Sequence, residues 1–257
     1  MTSQRSRCLD HLLSSTAATM PAMTTASLDQ FHDQWIDGLD FCRMVYARFE
    51  EVRTSDEGVD KLRARQRPEK KLLEELLPIC RYIQTYYGPG LYISVRWVDG
   101  NQAYDAQVRV FGAVVQAGGW PMNGHLEVTQ ALHAKEHLMR ELLRREGGGF
   151  SIDGLSVGKD EDGNRKIESV VTSYSNQSYI DDFAAILLNA IQAKVDKMAE
   201  GKYPSDTTLI VDCTLHTVFL RDEWDKLIEI VKARVPRSHG FIRIAVYANS
   251  SEHAAVL

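Results

Sequence analysis

No Cys-x-x-Cys pair occurs in this sequence, and its four cysteines, Cys8, Cys42, Cys80 and Cys213, lie far apart along 257 residues. Such spacing argues against a zinc knuckle or a disulfide framework and fits reduced thiols in a cytoplasmic protein. No apolar run approaches the ~20 residues that span a bilayer, so a membrane protein is not expected. An excess of basic charge is missing too. The formal charge of −5 advertises no general attraction for nucleic acid, although a local patch is a separate matter. Residues 1–27 hold one acid, Asp10, and no sustained apolar segment for a secretory signal. An Arg-bearing, acid-poor start has the composition of a mitochondrial transit peptide. The Ser, Thr, Ala and Met content favours a disordered leader, or a true start at Met20 or Met23.

What is present is the make-up of an ordinary globule, 44% hydrophobic and 25% charged. We divide it into the leader (1–27), an N-terminal helical extension (28–67) and an α/β core (68–257). Phe31, Trp35, Leu39, Cys42, Val45 and Phe49 recur at helical steps and predict a helix from Leu28 to about Val52. A polar connection over Thr54–Asp60 follows. Pro68 opens a second helix, with Leu72, Leu73, Leu76, Leu77, Cys80 and Ile83 on one side, and Pro78 is expected to bend it.

Strict alternation follows. Leu91, Ile93, Val95 and Trp97 share one face, Asp99-Gly100 signals a hairpin, and Tyr104, Ala106, Val108 and Val110 form the apolar face of the returning strand. That places Asp105, Gln107 and Arg109 on the other face. A third strand holds Leu126 and Val128 inward, with Glu127 between them. Further elements are a helix from Gln130 to about Arg145, a hairpin ending in Ile167–Tyr174 and a long helix through Ile180–Met198. The buried strand Leu209–Cys213, a helix from Asp222 and a last strand over Phe241–Tyr247 complete the order. A βαβ tail on an antiparallel meander makes a mixed sheet sandwiched by helices.

Asp105 on the second strand and Glu127-Val-Thr129 on the third, in this order of elements, resemble the PD-(D/E)XK nuclease-like superfamily. The resemblance covers roughly residues 69–247 and implies a restriction-endonuclease-like core. It also implies that Asp105 and Glu127 bind Mg²⁺ or Mn²⁺, lowering the pKa of a water and offsetting charge on a DNA or RNA phosphate. In the family a lysine two residues after the Glu positions the attacking water. Here that residue is Thr129, left to orient water, and the family tolerates migration of the lysine to a neighbouring helix. Lys194 lies at the edge of the long helix's apolar face and Gln192 one turn after Leu188. Both are candidates to assist at the phosphate. The plainer expectation for Lys194 is a stem laid across the core edge, and for the two acids a solvated outer face of a half-buried sheet.

Other readings compete. A nuclease-like module without the lysine can be an inactive nucleic-acid-binding or protein-interaction unit. His133-Ala-Lys-Glu136-His137 matches the H-x-x-E-H pattern of zinc peptidases, with both histidines one helical turn apart, Glu136 as general base and Asp212 or Glu223 as a further ligand. Lys61–Lys71 carries six basic residues against one acid, and Arg140, Arg144 and Arg145 form a second basic strip. Either can grip phosphates or simply be solvated. Neither has aromatics interleaved, so no stacking surface for single strands is expected.

Overall fold

The computed structural model describes residues 27–257 apart from Tyr174, Thr217, Phe219, Ser250 and Ser251. The predicted leader, Ser27 excepted, lies outside the described residues. The elements run β1 (Ile36–Asp37), α1 (Gly38–Thr54), α2 (Gly58–Ala64), α3 (Glu69–Lys71), a π-helical turn (Leu72–Leu76), α4 (Leu77–Tyr86), β2 (Tyr92–Trp97), β3 (Ala106–Phe111) and α5 (Ala113–Gln116). They continue with β4 (Asn123–Ala131), α6 (Glu136–Glu146), β5 (Leu155–Lys159), β6 (Arg165–Ser169), α7 (Asn176–Ala199), β7 (Thr207–Cys213), α8 (Arg221–Arg234), β8 (Arg243–Ala248) and β9 (Ala254–Val256).

Seven strands form one mixed sheet in the order β1-β2-β3-β4-β7-β8-β9, and β5 and β6 pair separately. Strands β1 to β4 are antiparallel neighbours, β4, β7 and β8 are parallel, and β9 closes the far edge antiparallel to β8. The chain is therefore an α/β protein whose mixed sheet is flanked by helices. No helix among the described residues is long and apolar enough to cross a membrane.

Pleating explains the two layers. Ile93, Val95, Ala106, Val108, Leu126, Val128, Ile210 and Ala245 face α1 and α4, whose Phe41, Val45, Ile79 and Ile83 fill the same core. Ala131, Leu209, Val211, Ile244 and Val246 face the opposite way, against Phe183, Leu187 and Ile191 of α7 and Trp224, Leu227 and Val231 of α8. The second layer covers β4, β7 and β8 but stops short of β1, β2 and β3, whose outward residues are half-buried or exposed.

Several boundaries differ from the sequence reading for local reasons. The first helix begins at Gly38, not Leu28, because Asp37 caps it by accepting from the Leu39 amide at 3.0 Å. The residues before it run along the edge of β2, where Ile36 pairs with Val95 and His32 bridges Trp97. Pro78 does not bend its helix alone. Lacking an amide hydrogen, it follows a widened turn in which the Leu77 amide bonds back five residues to Leu72. Strand β4 runs on to Ala131, which delays the predicted Gln130 helix to Glu136.

Candidate active site

Asp105 stands immediately before β3 and is anchored on both sides. Its amide donates to the Leu126 carbonyl at 2.9 Å, and its carbonyl accepts from the Val98 amide at 3.0 Å. The ladder with β4 ends where Ala106 pairs with Leu126, and Asp105 lies one residue beyond it, near enough to Glu127 to feel its charge. The Asp105 carboxylate also accepts from the Val128 amide at 2.7 Å.

Glu127 is not a solvated outer residue. At 8% exposure it lies beneath α7, whose Lys194 ammonium meets Glu127 Oε1 at 2.5 Å. The Tyr203 hydroxyl donates to the same oxygen at 3.2 Å. Burial works against the Lys194 charge, but the charge and hydrogen bond of Glu127, joined by Tyr203, raise its pKa above the ordinary lysine value. Burial and the Glu127 charge likewise raise Tyr203. Lys194 thus crosses the core edge, and its head is an ion-pair partner rather than a solvated end.

Asp105 is pushed up to about 7, first by burial and then by the charges of Glu127 and Glu75, against the opposing pull of the Val128 amide and Lys194. Glu75 lies in the π-helical turn and accepts from Trp97 Nε1 at 3.0 Å. The sequence reading missed it. The signal was the acidic pair Glu74-Glu75 just ahead of Pro78, where the widened turn resets which side chains face the sheet. Tyr203 was also missed, and only its place in the turn between α7 and β7 distinguishes it.

Thr129 shares the Glu127 face of β4 and is half-buried. Gln192 does not join the group: it is exposed, and its amide donates to Asp196 at 2.7 Å along the surface of α7. Beside the carboxylates, His125 faces outward from β4, with Nδ1 2.6 Å from Asp206 and its ring 4.5 Å from that of Tyr104.

The H-x-x-E-H residues do not converge. α6 starts only at Glu136, so His133 precedes the helix and pairs with Asp153 at 3.2 Å, whereas His137 is exposed and lies 3.1 Å from the Ala134 carbonyl. Glu136 is taken by His216 at 2.8 Å; burial pushes its pKa up, but His216 together with Arg140 and Arg65 lowers it overall. The suggested third ligands are engaged elsewhere. Glu223 caps α8 through the Leu220 amide, and Asp212 is buried and raised to about 6 by that burial. Among the described residues no three His, Cys, Asp or Glu side chains cluster as a ready ligand set.

The basic run is largely consumed by structure. Arg65 pairs with Glu74, Lys71 with Asp99 and Glu75, and Arg63 donates to the Leu143 carbonyl at 2.8 Å. Among known proteins, the chain matches no family model, no curated protein and no solved structure.

Proposed function

We propose that this protein is a divergent PD-(D/E)XK nuclease-like enzyme that hydrolyses phosphodiester bonds of DNA or RNA in the presence of Mg²⁺ or Mn²⁺. One observation carries the reading: Lys194 of α7 reaches Glu127, whose charge acts on Asp105, at 2.5 Å. This returns a cation to the acidic pair where the strand itself offers only Thr129. The helix–meander–helix–strand order of α4, β2, β3, β4, α7 and β7 supports the restriction-endonuclease-like assignment.

The residues fit a hard divalent ion. Mg²⁺ keeps several waters and needs only one or two carboxylates plus substrate oxygens, so a third protein ligand is not required. The chemistry of the donor set agrees, since burial and then the charges of Glu127 and Glu75 raise Asp105 to about 7, and a bound cation would offset those charges. Asp105 and Glu127 would hold the ion, which when bound acidifies water and screens the phosphate.

The protein's own part is positional and electrostatic. The Val128 amide and the strand register fix Asp105, while Tyr203 and Lys194 orient Glu127. In this reading the Lys194 ammonium would offset negative charge that builds on a phosphate as the water oxygen–phosphorus bond forms and the bond to the leaving oxygen breaks. Thr129 supplies a hydroxyl on the same face for a water.

The experiment is cleavage of labelled single- and double-stranded DNA and RNA with Mg²⁺ or Mn²⁺. Activity lost in Glu127→Gln and Asp105→Asn, with both variants folded, supports the reading. No cleavage of any substrate by the wild type overturns it in favour of an inactive binding module, the reading that Thr129 favours.

A further inference from the structure

We propose that the uncovered face of β1, β2 and β3 binds a single strand of nucleic acid and leads it to Asp105 and Glu127. The route to the carboxylates rests on the nuclease reading, whereas the binding does not. The two basic runs of the sequence contain no aromatics, but the fold assembles both kinds of side chain from separate strands.

Trp35, beside β1, lies with its ring 4.0 Å from the Arg109 guanidinium of β3. Tyr92 pairs with Phe111 across β2 and β3, their rings 5.8 Å apart and tilted by 32°, and Tyr87 meets Tyr92 edge-on at 5.8 Å. Tyr92 and Phe111 stay 40% and 47% exposed, although each could have been buried by a helix like those over β7 and β8. From Phe111 the same face continues through Arg109 to Gln107, two residues from Asp105. That is four residue steps, or ~13 Å at ~3.3 Å each. Arg96, bonded to Asp33 and to Gln107, lies alongside.

Exposed rings accept the faces of bases whatever their identity, and arginines neutralise the connecting phosphates. Arg109 forms no ion pair among the described residues and is available to a phosphate, whereas Arg96 is balanced by Asp33 and Asp37 of β1 accepts from Tyr87. A duplex hides its base faces in its own stack and cannot use these rings. The chemistry therefore selects an unpaired strand, and the face ends at the candidate site.

The test is fluorescence anisotropy of labelled oligothymidine, oligouridine and a matched duplex in excess EDTA, so that no strand is cut. The wild type is expected to bind the single strands in preference to the duplex. Phe111→Ala and Tyr92→Ala are each expected to weaken binding about tenfold. Arg109→Gln is expected to weaken it and to flatten the salt dependence by about one phosphate. All three side chains are exposed, and an unchanged melting temperature confirms folding. Absence of binding, equal binding of duplex, or indifference to Phe111→Ala and Tyr92→Ala overturns the proposal. So does self-association that Phe111→Ala abolishes, because a second copy would then own the face. Strand binding without cleavage in Mg²⁺ keeps this inference and sinks the nuclease reading, and cleavage of duplex without strand binding does the reverse.

Discussion

Lys194 and Glu127, 67 residues apart in sequence, meet at 2.5 Å beneath α7. Both are largely withdrawn from water, so each depends on the other. Lys194→Met leaves Glu127 charged and poorly solvated, an expected loss of about 1–3 kcal/mol. The double variant Lys194→Met/Glu127→Gln is expected to regain part of that loss, because no buried charge is then left alone. Urea denaturation of the two single variants, the double variant and the wild type measures the coupling.

Asp105 makes metal-free stability depend on pH. Its pKa rises from the ordinary 3.8 to about 7 on folding. Between these values the folded state keeps a proton that the unfolded chain has released. Stability is therefore greatest at the acid end of this window, falls as pH rises through it and levels off above about 7. Asp212, raised to about 6, adds a slope of the same sign. Asp105→Asn is expected to remove its share and to exceed the wild type in stability at alkaline pH. Denaturant titrations in EDTA across the window check this.

Glu75 acts on Asp105 through charge. Glu75→Gln keeps an acceptor for Trp97 Nε1 but removes one of the charges that hold Asp105 protonated. The expected outcome is an Asp105 titration shifted to lower pH, read by carboxyl-carbon NMR. An unchanged titration would mean that burial and Glu127 account for the shift without Glu75.

Gly112 locks the turn beyond β3. Its φ of +119° is strained for any other residue, and an added Cβ would stand 2.5 Å from the Gly90 carbonyl oxygen. Gly112→Ala is expected to destabilise the fold by about 1–3 kcal/mol, measured by urea unfolding.

Much of the strand architecture was legible because period-two alternation is a local signal. Val108 and Val110 against Gln107 and Arg109 set the faces of β3, and the short apolar stretch Leu209–Cys213 marked a buried strand. Asp105 and Glu127 could be paired from the meander alone. What sits above them could not. That α7 covers Glu127, and that Lys194 rather than Gln192 turns toward it, depends on helix rotation fixed by Leu187 and Ile191 in the core. Glu75 was hidden because Pro78 widens the preceding turn and breaks the 3.6-residue period that the reading assumed. The aromatic face was invisible for a different reason. Trp35, Tyr92, Arg109 and Phe111 come from three separate segments, and only strand pairing brings them together.

Mn²⁺ binding tests most directly whether Asp105 and Glu127 form a metal site. Electron paramagnetic resonance of the free ion would be followed during titration of wild type, Asp105→Asn and Glu127→Gln. The expected result is saturable uptake by the wild type, strengthening as pH rises through about 7 where Asp105 ionises, and lost in both variants. A wild type that takes up no ion, or variants that bind it equally well, would contradict the assignment.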